Sequence, residues 1–373
     1  MTSQTWRSAP KFKSGLGFLI WLATTSSAVA APPQIPAYSD HTRLLEVKTP
    51  DGRTLPVSGS ADWAVRRAHI LGHLEAVMGQ LPGPERRVPL ETRVEGTFET
   101  PAFSRRKITF ASEPGDRVPA WLLVPRNLKA RAPGVLCLHQ TTAIGKDEPA
   151  GLGGKTNLHY AKELAARGFV AIVPDYPNFG EYRVDPYKLG YASASMKGIW
   201  NHMRAIDLLV DLPEVDPDRL AVIGHSLGGH NAIFVGLFDP RLRVVVSSCG
   251  FNAFGFYNSG NIAGWSHAGY MPRLKETFDL DLKRVPFDFP ELIGALAPRT
   301  FFTNSPLKDS NFDVRGVKVA IDSARTVYRL MNAEDQLHAA FPDAEHDFPV
   351  EEREAAYSLM LKTLSAPRSS RIR

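Results

Sequence analysis

Apolar positions change their spacing along this chain, and each change predicts a different kind of element. Over residues 62–80, Trp63, Ile70, Leu74, Val77 and Met78 recur at roughly helical intervals, and Pro82-Gly83-Pro84 ends the run. From 92 to 125 the runs shorten: Lys107-Ile108-Thr109-Phe110 and Val118-Pro119-Ala120-Trp121-Leu122-Leu123-Val124 flank Glu113-Pro114-Gly115-Asp116, the pattern of a hairpin or meander. After Pro133 short apolar runs alternate with amphipathic stretches. Strands are expected over 134–138, 169–174, 220–223, 244–248, 300–303 and 336–341. Helices are expected over 159–167, 193–210, 231–237, 319–331 and 352–364. Strands that are apolar throughout, with helices between them, belong to a mostly parallel sheet covered on both faces. Residues 31–58, rich in proline and polar groups, read as an extended arm over the surface, and the end of the chain as a frayed tail.

One stretch breaks the alternation. Between the runs ending at Ser248 and starting at Thr300 lie roughly fifty residues carrying Phe251, Phe254, Phe256, Tyr257, Trp265, Tyr270, Phe278, Phe287 and Phe289, and connections of that length commonly serve as lids or binding walls. Trp265 and Tyr257 are expected to line a substrate cleft. Phe287 and Phe289, next to prolines, are expected to be buried.

The composition changes this picture in few places. With 373 residues, 43% hydrophobic and 22% charged, the chain is neither a disordered segment nor a membrane bundle. Arg7, Lys11 and Lys13, the apolar stretch 15–23 and Ala28-Val29-Ala30 have the form of a secretory leader cut after Ala30. The apolar part is well short of the ~20 residues that span a bilayer, so a secreted or periplasmic chain with no lasting membrane insertion is expected. Loss of those three cations lowers the formal charge from +5 to +2, which removes any argument for nucleic acid as a partner. Cys137 and Cys249 sit in strand-like runs and match no paired-cysteine zinc spacing, and no His-Glu-x-x-His occurs. Neither a disulfide, a metal nor another cofactor is expected. The organisation predicted is a leader over 1–30, an arm and helix over 31–90, one catalytic domain over 91–365 and a tail over 366–373. An insertion over 251–298 follows the sixth strand.

Chemistry concentrates at Gly224-His225-Ser226-Leu227-Gly228-Gly229, between the run 220–223 and a short helix. Gly-x-Ser-x-Gly in a strand-to-helix turn exposes the serine hydroxyl at the carboxyl edge of a sheet, and the glycines give the turn room. A serine needs a general base within hydrogen-bond reach. On such a sheet the acid and then the histidine follow in sequence, each on a loop after a later strand. Of His230, His267, His338 and His346, only His346 follows the last strand, so it is the predicted base. The acid should follow 300–303, where Asp309 is preferred and Asp313 competes, although Asp313 also suits a helix cap. Two backbone donors would hold the oxyanion: the N–H of Leu227, and one from the loop after 134–138, assigned to Thr141 with Gln140 as runner-up. Gln140 is also expected near the substrate.

With these residues in place the chain resembles the α/β-hydrolases over about 90–364. The run from Leu212 to Gly229 is similar to the approach to the nucleophile in dienelactone-hydrolase-like and acetyl-xylan-esterase-like members and in prolyl oligopeptidases. Trp63-Ala64-Val65-Arg66-Arg67 resembles secreted bacterial carbohydrate-esterase-like members. The resemblance implies a serine esterase with Ser226, His346 and an aspartate, acting on a small or polymer-attached ester, with carbohydrate-linked and aromatic esters both compatible. Two departures stand out: Gln140 occupies a place where many relatives have glycine, and serine at 226 argues against true dienelactone hydrolase activity. A peptidase is the first alternative, disfavoured because too few residues precede position 90 for a propeller. A noncatalytic binding protein on the same fold is the second.

Overall fold

Side chains that alternate between the two faces of one sheet organise the molecule. In the computed structural model, which describes residues 35–367, they belong to one compact unit. The expected leader, 1–30, and residues 368–373 of the expected tail lie outside the described residues. In chain order the elements are β1 (Glu46–Lys48), β2 (Thr54–Pro56), α1 (Ser60–Met78), β3 (Arg93–Glu99), β4 (Phe103–Glu113), β5 (Asp116–Pro125) and β6 (Ala132–Leu138). Then come α2 (Tyr160–Ala166), β7 (Val170–Pro174), α3 (Ala194–Asp211), β8 (Val215–His225), α4 (Leu227–Phe238) and β9 (Leu242–Ser248). The chain closes with α5 (Arg273–Glu276), α6 (Phe289–Gly294), β10 (Thr300–Asn304), α7 (Val314–Leu330), β11 (Leu337–Ala340) and α8 (Val350–Ser365).

The main sheet runs β11-β10-β9-β8-β6-β7-β5-β4-β3. Its strands from β7 to β11 are parallel, and β5, β4 and β3 extend it antiparallel as the predicted meander. Along β8, Leu220 and Val222 face one core with residues of α1, α3, α4, α6 and α7, while Ala221 and Ile223 face a second with α2 and α8. The chain goes from β6 to β7 on one side and then crosses to β8 on the other. That reversal opens a crevice at the carboxyl ends of β6 and β8, the place where open parallel sheets hold ligands. Among the described residues no helix is long and apolar enough to cross a membrane.

Several expectations change, and two elements start earlier than read: α7 at Val314, not 319, and β8 at Val215, not 220. Helix α4 begins at Leu227, not at 231, because tertiary contact overrides the low helix propensity of two glycines: a Cβ on Gly228 would lie 1.9 Å from the Leu138 carbonyl oxygen. The strand before the insertion is the ninth in chain order, not the sixth, since β1, β2 and β3 precede those read from the sequence. The arm does more than cross the surface: Tyr38, Leu44, Val47 and Val57 are buried, and His41 bonds Glu291 at 2.8 Å, sharing that buried carboxylate with Arg66.

Burial pushes three interior imidazoles down, His73 to about 4 and His202 and His230 each to about 3, against 6.5 ordinarily. The unfolded chain therefore binds more protons than the folded one below pH 6.5, so the stability these groups contribute is lost as pH falls. His41 has the opposite sign, because Glu291 raises it despite burial. Buried His139 and His225 are depressed in the same way, while Asp288, raised to about 7 by burial, acts with His41 in the opposite sense. With five interior imidazoles against these two groups, the melting temperature should drop as pH is lowered from 6.5 towards 4. A melting temperature flat over that interval would contradict this balance.

Candidate active site

The sheet register brings the strand ends level. Leu138 pairs with Gly224, His225 with Ser248, Ser248 with Asn304, and Asn304 with Ala340. The residues just beyond these ends must therefore gather along one edge. Ser226 stands there at φ 53° and ψ −116°, backbone values that L-residues adopt only when their surroundings impose them. A Cβ on Gly224 would lie 2.2 Å from the Gly228 carbonyl oxygen, so glycine is needed at 224 for the turn to close. The Ser226 N–H donates to the Ser248 carbonyl at 2.8 Å, while its carbonyl accepts from Gly229 and His230 as α4 begins. The side chain is half-buried and caps nothing.

The loops after β10 and β11 are laced together by three backbone bonds, Ser305 to Ala340, Leu307 to Pro342 and Lys308 to Ala344, at 2.9, 2.9 and 3.0 Å. This lacing sets Asp309 beside His346, whose Nδ1 lies 3.0 Å from each carboxylate oxygen. A carboxylate only accepts, so Nδ1 carries a proton and Nε2 of the neutral ring keeps its lone pair. Asp309 also accepts from the N–H groups of Asn311 and Phe312 at 2.8 and 3.2 Å. The competitor Asp313 caps α7, accepting from Arg315 N–H at 2.9 Å. Asp347, next to His346, is held three ways: Asn304 and Cys249 donate to its carbonyl at 2.9 and 3.3 Å, and Asn157 to its carboxylate at 2.6 Å. The ring of His225, adjacent to Ser226, lies 4.8 Å from that of His346, which brings the serine turn and the histidine loop together.

Leu227 is the first residue of α4, where N–H groups have no partner within the helix and the helix dipole is positive. Thr141 is exposed on the loop after β6, and its hydroxyl lies 3.2 Å from the Tyr270 hydroxyl. Gln140 is half-buried, and its amide donates to both carboxylate oxygens of Glu148, at 3.0 and 2.9 Å. Trp265 needs correction as a substrate contact. It is 3% exposed, and His230, Phe254, Tyr257, Tyr270, Phe289 and Phe312 surround it, leaving no face for a ligand. Tyr257 is half-buried and packs on Phe312, whose ring is 6.1 Å from His346. Phe287 and Phe289 are buried as expected. The insertion residue that meets the loop after β6 is Tyr270, at Thr141; its sequence neighbours His267, Ala268 and Gly269 carry no pattern that separates it from the other rings.

A groove of about 670 Å³ runs beside His346, lined by Gly154, Lys155, Thr156 and Asn157 on one side and residues 344–347 on the other. The buried His225 imidazole is pushed well below its ordinary range, chiefly by loss of water and further by His346 and Lys155. The Cys249 thiol is pushed up by burial and by Asp309. Cys137 and Cys249 are free thiols. Donor atoms of His225, Cys249 and His346 lie within 4.8 Å of one another, the one cluster of metal-ligating type among the described residues, and it coincides with the site itself.

Known proteins share this organisation. The sequence pattern of the family described as "Glucuronyl esterase, fungi" matches residues 187–332, a stretch that contains Ser226 and Asp309 and ends before His346. A glucuronoyl esterase from Solibacter usitatus superposes with a TM-score of 0.69 at 19% identity, over 90% of this chain and 100% of that one. The chain has the α/β-hydrolase fold. Among curated relatives, an uncharacterized protein of Pseudomonas aeruginosa is 28% identical over 198 residues, covering 50% of each chain. A carbohydrate esterase from an unknown prokaryotic organism is 28% identical over 134 residues, 34% of this chain and 31% of that one. The match thus spans half the length of the first of these relatives and a third of the second.

Proposed function

We propose that this α/β-hydrolase is an exported serine esterase whose substrates carry the ester on a carbohydrate. The observation that carries the reading is the pairing of His346 with both oxygens of Asp309, on loops that meet the turn of a serine held in a left-handed conformation. In this mechanism the Ser226 hydroxyl attacks the ester carbonyl while Nε2 of His346 takes its proton. Asp309 keeps the imidazole in the tautomer that can do so and stabilises the imidazolium that results. The N–H groups of Leu227 and Thr141 hold the oxyanion, a contribution of about 10²–10³ in rate for each such donor. The alcohol leaves with the proton from His346, and water then attacks the acyl-enzyme by the same route. No step calls for a cofactor.

The relatives named as glucuronyl, glucuronoyl and carbohydrate esterases support a sugar-linked ester over a free aliphatic one. The test is a substrate panel on the chain lacking residues 1–30: methyl glucuronate esters, acetylated sugars, feruloyl esters, longer acyl esters and peptide anilides. Hydrolysis of one or more sugar-linked esters is expected, and none of the anilides. Release of anilide without ester hydrolysis would move the assignment to a peptidase.

A further inference from the structure

The backbone around His139, at the end of β6, dictates where its proton sits. The ring is buried, against Phe179 on one side and near His202 on another. The backbone N–H of Tyr176 points at Nε2 from 2.9 Å. An amide N–H can only donate, so Nε2 is bare. The proton of the neutral ring is then on Nδ1, 2.6 Å from the Gln140 carbonyl oxygen, to which it donates. Burial favours this neutral form over a charged one that would oppose the Tyr176 N–H.

The carbonyl of Gln140 and the N–H of Thr141 belong to one planar trans peptide and point in opposite directions. Holding the carbonyl against the buried ring therefore turns the Thr141 N–H the other way, out of the protein interior. The neighbouring carbonyls are also committed. That of Leu138 accepts from the Tyr160 hydroxyl, and that of His139 faces Gly228, where an added Cβ would lie 2.9 Å away. The side chain of Gln140 is tied to Glu148. The hinge that remains is the Gln140–Thr141 peptide itself, and His139 is the group that fixes its plane.

We infer that His139 is a positioning residue: as the Nδ1–H tautomer it locks the Gln140–Thr141 peptide with its N–H presented to the oxyanion. The inference rests on the reading of Ser226 as nucleophile and Thr141 as oxyanion donor. Asparagine places an amide nitrogen near the former Nδ1 and can still donate to Gln140. Glutamine reaches the former Nε2, can accept from Tyr176, and loses the donation.

The experiment compares His139→Gln and His139→Asn with the native chain on an ester that the native chain hydrolyses and Ser226→Ala does not. His139→Gln should lower kcat by about 10–100-fold with KM within about twofold, and weaken a boronic acid that forms a tetrahedral adduct by a similar factor. His139→Asn should recover most of the loss. In parallel, ¹⁵N NMR of histidine-labelled native protein should show His139 with a protonated Nδ1 and a bare Nε2. Full kcat in a folded His139→Gln, equal losses in both variants, or a protonated Nε2 would each overturn the role, and the NMR result decides it even if neither variant folds. Failure of the native chain to hydrolyse any ester would instead count against the serine esterase reading, while leaving the tautomer measurable.

Discussion

Ser226→Ala should lower ester turnover by about 10⁵-fold or more while the melting temperature moves little. The two halves of this result have separate causes. In the proposed mechanism the hydroxyl is the attacking group, and once it is gone neither His346 nor the oxyanion donors have an acyl-enzyme to build. The fold is spared because alanine keeps the Cβ, so the turn at φ 53° is as accessible to it as to serine, and the serine side chain caps nothing at the start of α4. Residual turnover should match the rate that binding and oxyanion stabilisation alone provide. The check is kcat on the best ester of the panel, with circular dichroism and thermal melting of the variant. Native-like turnover by a folded Ser226→Ala would remove the serine from the mechanism.

Asp309→Asn should be the next most damaging change, at about 10⁴-fold in kcat, while Asp313→Asn should change kcat by no more than a few-fold. Asparagine at 309 can still accept from Asn311 and Phe312 through its carbonyl oxygen, so the loop keeps its shape. Its amide group would face Nδ1 of His346 where a carboxylate oxygen now stands 3.0 Å away. A donor there favours the ring tautomer with the proton on Nε2, which cannot accept from Ser226, and the imidazolium loses its counter-charge. At 313 the carboxylate serves as the N-cap of α7, a place that asparagine fills nearly as well. Steady-state kinetics of the two variants side by side decide the matter: a large loss at 313 with little at 309 would reverse the assignment of the acid.

What could be read in the sequence, and what could not, follows from whether a feature is local. The strands of the parallel part announced themselves as short apolar runs because both of their faces are buried; Val244 to Val246 and Phe301 to Phe302 lie in the interior. The serine turn is legible because Gly224 is required by a backbone contact only four positions away, at Gly228. The choice of His346 and Asp309 came from the order in which loops follow parallel strands, and the same strand register brings the two side chains together. The start of α4 was missed because Gly228 and Gly229 are poor helix formers placed in a helix by contacts with Leu138 and Gly250, neither of which is near them in sequence. Trp265 and Tyr270 differ by five positions and share an aromatic character; only the packing of the insertion on His230 decides that the indole is enclosed and the phenol reaches Thr141. The part played by His139 has no sequence signal, since its two hydrogen bonds are to backbone groups and leave no mark on composition. The burial of Tyr38, Leu44, Val47 and Val57 was hidden by the prolines and polar residues among them.

The most direct test of the central claim, that Ser226 is a nucleophile activated by its surroundings, is covalent capture. The chain lacking residues 1–30 would be treated with a fluorophosphonate, digested and sequenced by mass spectrometry, with Ser226→Ala as the control. The account predicts a single adduct on the peptide containing Gly224-His225-Ser226, formed together with loss of ester hydrolysis and absent from the variant. A folded native chain that hydrolyses esters yet carries no adduct at Ser226, or carries it on another residue, would contradict the account.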